Sequence, residues 1–163
     1  MKITAFETEN WECDALMDMS NEVRIQCVGE ALDTKTAERY ADSEVVSTFI
    51  YSKMSAEVLG KLPNLKMIAT RSTGFDHIDQ QYCREHGITI CNVPTYGKNT
   101  VAEHTFALIL AISHRMIEAA DRTRRGDFSF QGLQGFDLRD KTLGVVGTGE
   151  IGECVVEIAN GFG

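Results

Sequence analysis

The chain has 163 residues, of which 43% are hydrophobic and only two are proline, so it is long enough to bury the core of a globular protein. Its formal net charge of −8 argues against a nucleic-acid partner, because phosphate binding relies on clustered Lys and Arg. The longest uncharged apolar stretch, 106–112, is far shorter than the roughly 20 residues of a membrane span. We therefore expect neither nucleic-acid nor membrane binding.

The cysteines are odd in number, widely spaced and without a Cys-x-x-Cys pair, a pattern typical of reduced thiols. The N-terminus has no long apolar stretch and already carries acidic side chains at Glu7 and Glu9, which argues against a signal peptide. We therefore expect a cytoplasmic protein in which all five cysteines are free, namely Cys13, Cys27, Cys83, Cys91 and Cys154.

Short β-rich segments alternate with helical patterns in the first part of the chain, as in the βαβ units of a parallel sheet. The predicted strands are 2–6, 23–28, 44–48, 67–70 and 88–92. The predicted helices between them are 11–19, 34–40, 56–62 and 78–86. Gly87 can end the last of these helices, because glycine readily takes the left-handed conformation of the C′ position. This order predicts an α/β domain with a flavodoxin-like parallel sheet.

A long helix is predicted over 101–124, where Thr100 and Glu103 have the spacing of a capping box. Its centre, 106–112, is apolar on every side, which a helix tolerates when it packs between two bodies. A cluster of arginines at 122–125 suits its C-terminal end, where cations oppose the helix dipole. We interpret this element as an interdomain or interface helix.

A buried strand is predicted over 141–146, and it leads into a glycine-rich turn and a last helix. The turn fits G-x-G-x-x-G, the fingerprint of a dinucleotide site when it follows a strand and opens a helix. Gly147 permits the tight turn, Gly149 lets backbone amides approach a pyrophosphate, and Gly152 allows close packing of helix on strand. The alternative interpretation is a plain strand-to-helix turn.

Two observations limit this cofactor prediction. Glu150 lies in the first turn of the last helix, where its carboxylate would repel a bound pyrophosphate. The acidic residue that would hold the ribose hydroxyls is expected about 20 residues after Gly147, which is past Gly163. The sequence therefore does not distinguish NAD from NADP.

Two loops follow predicted strands at the carboxyl edge of the sheet, where open α/β sheets bind ligands. In the loop 71–79, Gly74 can take a positive φ, and consecutive amides there can form a nest for a carboxylate. The alternative is an ordinary βα turn with Asp79 as the helix N-cap. In the loop 92–97, Tyr96 either presents its hydroxyl to a ligand or packs at the surface.

Three segments in this order, 71–79, 92–104 and 141–152, resemble the landmarks of D-isomer-specific 2-hydroxyacid dehydrogenases. Residues 136–139 are similar to the D-lactate dehydrogenase-like branch, and the resemblance extends over 44–163. It implies the following division of the chain: a flavodoxin-like substrate domain over 1–99, an interdomain helix over 100–125, and the first β-α unit of an NAD-binding Rossmann domain over 126–163.

The resemblance also implies roles for individual residues. The amides of Thr73 and Gly74 would hold the substrate carboxylate, and Tyr96 would lie near the substrate. Thr100 would approach the nicotinamide. The pyrophosphate site would consist of Gly147, Gly149, Glu150, Ile151 and Gly152. The family's catalytic arginine, carboxylate and histidine are expected past the end of this chain, so no catalytic residue is assigned. The histidines are interpreted as structural, namely His77, His86, His104 and His114.

The resemblance implies an oxidoreductase that transfers a hydride between NAD(H) and a 2-hydroxy or 2-keto acid such as D-lactate or pyruvate, with NADP not excluded. We interpret the chain as a truncated N-terminal part without turnover of its own. The alternative is a non-catalytic interaction module on the same scaffold, similar to the C-terminal-binding-protein corepressors. We expect a homodimer, or self-association through the helix 101–124 or an exposed strand 142–147.

Overall fold

A computed structural model describes residues 1–18 and 23–163. The chain divides into two compact units, Met1–Tyr96 and Gly97–Gly163. No helix in these two described stretches is both long enough and apolar enough to cross a bilayer. Within the same residues, no cluster of three or more His, Cys, Asp or Glu side chains is placed to hold a metal ion.

The first unit is built on a sheet of five parallel strands. These are β1 (Lys2–Phe6), β2 (Arg24–Val28), β3 (Val45–Thr48), β4 (Met67–Thr70) and β5 (Thr89–Cys91). Their spatial order is β2-β1-β3-β4-β5, which is the order of flavodoxin-like folds. The predicted α/β class and all five predicted strands are therefore confirmed, with bounds that differ by a residue at some ends.

The sheet carries the main hydrophobic core. Phe6, Val46 and Ile68, on three neighbouring strands, are almost fully buried. They pack with apolar side chains from the connecting segments, including Leu32, Met54, Val58, Leu59, Leu62 and Cys83. A parallel sheet is covered on both faces, which explains why its strands appear in the sequence as nearly continuous apolar runs.

Short helices connect the strands, and their bounds differ from the prediction. They are α1 (Asn10–Asp18), a 3₁₀ helix (Ala37–Tyr40), α2 (Ala56–Leu59) and α3 (Gln80–Glu85). The predicted α-helix over 34–40 is wrong in type, since only its second half is helical and that half is a 3₁₀ turn. The prediction for α1 extended to Met19, which lies outside the described residues.

The two ends of α3 agree with the local sequence signals. The Asp79 side chain caps the helix by accepting a hydrogen bond of 2.9 Å from the Tyr82 amide. At the other end, Gly87 has φ of +68°, the left-handed conformation expected just after a helix C-cap. Short-range capping chemistry therefore determined both ends of this helix.

The second unit contains α4 (Lys98–Ser113), α5 (Met116–Arg124) and α6 (Glu150–Gly161). The predicted single helix over 101–124 is wrong, because Arg115 takes a left-handed conformation with φ of +50° and separates α4 from α5. The predicted capping box is also wrong. Gly97 occupies the N-cap position without a side-chain hydrogen bond, so Thr100 lies inside the first turn of α4.

The predicted strand over 141–146 does not form. Among the described residues, every assigned strand belongs to the sheet of the first unit. A strand exists only when a neighbour accepts and donates its ladder hydrogen bonds, and this segment has no such neighbour in the described part of the chain. Its Val145 packs instead against a small core between α4 and α6, formed by Ala102, Phe106, Cys154 and Val155.

The expectation of five free cysteines is wrong for two of them. Cys13 on α1 and Cys27 on β2 form a disulfide, with Cα atoms 5.9 Å apart. Cys83, Cys91 and Cys154 remain free. Sequence spacing did not reveal the pair, because a disulfide depends on the distance between two Cα atoms in space and not on their separation along the chain.

Candidate functional site

The two loops predicted to bind substrate are joined to each other at the carboxyl edge of the sheet. The Asn92 side-chain amide donates to the Thr73 carbonyl at 2.8 Å, and the Thr73 hydroxyl donates to the Val93 carbonyl at 2.9 Å. The Val93 amide in turn donates to the Ser72 carbonyl at 3.1 Å. The loops after β4 and β5 therefore form one surface, which we call the paired loops (71–79 and 92–96).

Two consecutive backbone amides are free within the paired loops. In the described parts of the chain, neither Thr73 N nor Gly74 N donates a hydrogen bond to protein, and both residues are exposed. An unpaired N–H group is a strong donor, and adjacent amides directed at one point bind anions. We call these two amides the carboxylate cradle, after the role that the resemblance implies for them, and this role stays a prediction.

Gly74 does not use the positive φ that glycine can take. The glycines with positive φ in the described residues lie elsewhere, and Gly74 is not one of them. A Cβ added at Gly74 would meet the Asp76 carboxylate at 3.8 Å, which is ordinary van der Waals contact. A left-handed backbone therefore does not explain the glycine at position 74. The free amide of Gly74 does not require a left-handed backbone either.

Arg71, the first residue of the loop after β4, extends its side chain across β3 to the end of β1. Its guanidinium donates to the carbonyl oxygens of Phe6 and Glu7, both at 2.9 Å, and to the Ser47 hydroxyl at 3.0 Å. Its Nε lies 3.3 Å from a carboxylate oxygen of Glu12 on α1, an ion pair without an aligned hydrogen bond. No pattern in the sequence indicated this role for Arg71.

Glu7, which directly follows β1, connects that strand to the end of β3 and to the loop after it. Its carboxylate accepts hydrogen bonds from the Thr48 hydroxyl at 2.6 Å, the Phe49 amide at 2.7 Å and the Ser52 hydroxyl at 2.9 Å. The amides of Tyr51 and Ser52 also donate to it. Burial raises the pKa of Glu7, but these hydrogen bonds outweigh burial and hold that pKa below its ordinary value. Glu7 is therefore ionised, and its carboxylate holds the loop after β3 in place.

His77 lies in the same loop as the carboxylate cradle but has no catalytic partner among the described residues. Its Nε2 is buried and makes no hydrogen bond there. Burial lowers the pKa of His77 below its ordinary value, against the opposing effect of the charges on Glu7 and Asp76. The imidazole is therefore neutral near pH 7. The structural interpretation of His77 stays a prediction.

Tyr96 and Thr100 are placed on the surface of their own units. Tyr96 ends the first unit, and 61% of its surface is exposed. Thr100 is exposed in the first turn of α4. Both side chains are accessible to a ligand, and their roles in binding stay predictions.

The glycine-rich turn has the backbone geometry that a pyrophosphate site needs. Gly147 has φ of +94°, and a Cβ on Gly152 would lie 2.1 Å from the Gly147 carbonyl oxygen, so neither position accepts a side chain. A Cβ on Gly149 would meet nothing within 4 Å, which leaves open space before the helix. In the described residues, the amides of Gly149, Glu150 and Ile151 donate to no protein group. The residues present therefore fit a bound pyrophosphate.

Glu150 is the one residue of this turn whose charge does not suit a pyrophosphate site. Its side chain is 57% exposed at the N-terminus of α6. The nearest cation, Lys98 Nζ, is 4.0 Å away and itself 43% exposed, so this ion pair neutralises Glu150 only weakly. A bound phosphate would thus meet both the favourable helix amides and an unfavourable carboxylate.

Comparison with known proteins identifies the family of the chain. The family model for "D-isomer specific 2-hydroxyacid dehydrogenase, catalytic domain" matches residues 4–157. The chain is 35% identical to a 2-hydroxyacid dehydrogenase homolog of Haemophilus influenzae and 33% identical to the D-lactate dehydrogenase of Escherichia coli. Both alignments include 100% of this chain but only 50% and 51% of those relatives. The chain thus spans about half their length.

Solved structures show the same relationship. The D-lactate dehydrogenase of Aquifex aeolicus, complexed with NAD and lactic acid, superimposes with a TM-score of 0.93 at 33% sequence identity. This match covers 98% of the present chain and 48% of the Aquifex chain. The apo structure of the Escherichia coli enzyme gives a TM-score of 0.79 over 99% of the chain.

Proposed function

Because the chain belongs to the D-isomer-specific 2-hydroxyacid dehydrogenases, we propose that it provides the substrate-carboxylate site and the pyrophosphate loop of an enzyme that interconverts a 2-hydroxy acid and a 2-keto acid. The substrate class we propose is that of D-lactate and pyruvate. The observation that carries this proposal is the pair of free amides at Thr73 and Gly74, held in place by the hydrogen bonds between the paired loops.

The cradle would act by orientation. Two N–H groups that bind the carboxylate fix the α-carbon of the acid in one place, and such positioning lowers the entropic barrier to reaction. The side chain of Tyr96 would contact the remainder of the substrate. Because the cradle amides need no reorganisation before binding, their hydrogen bonds to the carboxylate are not offset by a loss of protein contacts.

The cofactor we propose is NAD, which would supply the hydride chemistry when bound. The amides of Gly149, Glu150 and Ile151 would hold its pyrophosphate between Gly147 and Gly152, and Thr100 would lie on the nicotinamide side. NADP stays an alternative, since the residue that contacts the ribose 2′ position in such sites follows the first glycine by about 20 residues. We expect weak binding of NAD to the 163-residue chain, and micromolar affinity in calorimetry would contradict this.

A pyruvate titration tests the substrate site directly. We expect pyruvate to shift the backbone amide NMR signals of Thr73 and Gly74, whereas its uncharged methyl ester should leave them unchanged. The amides of Lys2 and Arg24 on the opposite edge of the sheet serve as an internal control. Equal shifts with both ligands, or shifts at the control amides alone, would refute a carboxylate site at the cradle.

We propose that the 163-residue chain has no turnover of its own, because the catalytic arginine, carboxylate and histidine of the family are expected past Gly163. The purified chain incubated with NADH and pyruvate should oxidise no NADH above background, with a D-lactate dehydrogenase relative as positive control. Sustained oxidation would refute this proposal.

An open reading frame that continues past codon 163 would favour the dehydrogenase over the corepressor-like alternative.

Self-association and a cytoplasmic location also belong to the proposal. Exposed apolar side chains on α4 and α5, such as Ile112 at 74% and Ile117 at 78%, support association through this helical surface. Val146, which is fully exposed, supports association through the segment 142–147. The Cys13–Cys27 disulfide is the observation that weighs against a reducing compartment.

A further inference from the structure

The hydrogen bonds of Arg71 connect the carboxylate cradle to the centre of the sheet. We propose that Arg71 is a positioning residue, which fixes the start of the loop whose amides at Thr73 and Gly74 bind the substrate. The identity of the ligand, the substrate carboxylate, rests on the function proposed above. The positioning of the loop does not, and it can be measured without a ligand.

Arg71 is held at both its main chain and its side chain. Its amide donates to the Thr48 carbonyl at 2.7 Å, and its guanidinium donates to Phe6 O, Glu7 O and Ser47 Oγ. The last three groups belong to the ends of β1 and β3. The side chain therefore joins the end of β4 to two strands on one side of it, and its Cα has little freedom to move.

Hydrogen bonds run continuously along the chain from Arg71 to the cradle. The Ser72 hydroxyl pairs with the Thr70 hydroxyl at 2.6 Å and donates to the Gly74 carbonyl at 2.7 Å. The Ser72 carbonyl accepts a hydrogen bond from the amide of Val93, which lies in the second of the paired loops. A displacement of Arg71 would therefore reach Thr73 and Gly74 within one hydrogen-bonded segment.

Arg71 can act through the position of its hydrogen bonds or through its positive charge, and its contacts distinguish the two. The guanidinium contacts protein groups on β1, β3 and α1, and none of these contacts is with the cradle. Lysine at this position keeps the positive charge, but a single ammonium does not reproduce the planar fork that reaches three acceptors at once. A long-range electrostatic role would survive Arg71→Lys, whereas a positioning role would not.

The ligand-free test is hydrogen exchange at the Val93 amide, which reports the bond between the paired loops. We expect exchange at Val93 to become about tenfold faster in Arg71→Met and in Arg71→Lys, the change expected when a local hydrogen bond is weakened. Exchange at Val46, in the buried core of β3, should change less. Arg84→Met, at an exposed position on α3, is the matched control and should leave Val93 unchanged.

The second test is the pyruvate titration of the same variants, read at Thr73 and Gly74. We expect the apparent Kd to rise about tenfold in both Arg71 variants and to stay unchanged in Arg84→Met. Should Arg71→Met not fold, Ser47→Ala removes one acceptor of the guanidinium and should give a smaller change in the same direction. Unchanged Val93 exchange in a folded Arg71→Lys variant, or wild-type pyruvate affinity in that variant, would overturn the inference.

The two tests also distinguish the failure of this inference from that of the proposed function. A wild-type chain that binds no pyruvate while Arg71→Lys accelerates Val93 exchange would refute the substrate site and support the positioning of the loop. Pyruvate binding that is indifferent to Arg71→Lys would support the site and refute the positioning role.

Discussion

The guanidinium of Arg71 donates a 2.9 Å hydrogen bond to the main-chain carbonyl of Glu7, while the carboxylate of Glu7 points away and binds the loop after β3. These two residues connect β4 to β1 and β1 to β3, so three neighbouring strands are joined at their carboxyl ends. The same edge of the sheet presents the carboxylate cradle. We therefore expect the geometry of the candidate site to depend on Arg71 and Glu7, although neither residue belongs to the cradle.

The first prediction concerns the contribution of Glu7 to stability. Glu7→Ala should lower the free energy of unfolding by about 3 kcal/mol, because several donors near Thr48 and Ser52 lose a charged acceptor. Urea unfolding monitored by circular dichroism measures this. Glu9→Ala, at an exposed position nearby, is the matched control and should cost much less. Equal losses in the two variants would show that the Glu7 hydrogen bonds contribute little.

The second prediction concerns pH. The pKa of Glu7 in the folded chain lies below its ordinary value of 4.5, so the unfolded chain binds a proton first as the pH falls. The stabilisation by Glu7 is therefore complete above pH 4.5 and is lost as the pH falls through the lower, folded pKa. Unfolding free energies of the wild type and Glu7→Gln should converge in that acidic range. A constant difference at every pH would argue against an ionised Glu7.

The third prediction concerns Glu150 and the cofactor. Glu150→Lys should strengthen NAD binding about three- to tenfold, because it replaces a repulsive charge at the N-terminus of α6 by an attractive one. An NMR titration measures such binding even when it is weak. Glu157→Lys makes the same charge change further along α6 and should have a smaller effect. If both variants gain equally, the effect reflects net charge and not the glycine-rich turn.

The fourth prediction concerns the disulfide. Oxidised protein should contain three reactive thiols after unfolding, and treatment with a dithiol reductant should raise this number to five. Cys13→Ser should lower stability by about 3 kcal/mol, as expected for a closed loop of this size. Cys91→Ser, at an exposed free cysteine, is the control. Five reactive thiols in protein alkylated directly in a cell lysate would instead support the reduced, cytoplasmic state.

The fifth prediction concerns self-association. Light scattering should show a mass that rises with concentration, because large apolar side chains are exposed on α4 and α5. Ile112→Glu should reduce the association if this helical surface carries it, and Val146→Glu should reduce it if the segment 142–147 does. Trp11→Glu removes a comparably exposed apolar side chain from the first unit and serves as control. A strictly monomeric wild type would contradict both routes.

Elements that depend on neighbouring residues could be predicted from the sequence, whereas elements that depend on distant contacts could not. The five strands of the first unit, the Asp79 cap and the stop at Gly87 were predictable, because apolar runs and capping residues act over a few residues. The break at Arg115 was not, since a non-glycine residue with positive φ has no clear local signal. The strand expected over 141–146 failed for a related reason, because strand formation needs a partner that local sequence does not provide.

The sequence by itself determined the five parallel strands, the two loops at their carboxyl ends and the glycine positions of the turn at 147–152. All of these follow from side-chain pattern and backbone freedom within short segments. Only the tertiary structure decided that Arg71 reaches Glu7, that Cys13 meets Cys27 and that Asn92 and Val93 hold the Thr73 loop. The physical reason is that these contacts join residues distant in sequence, and the folded sheet alone determines which distant residues become neighbours.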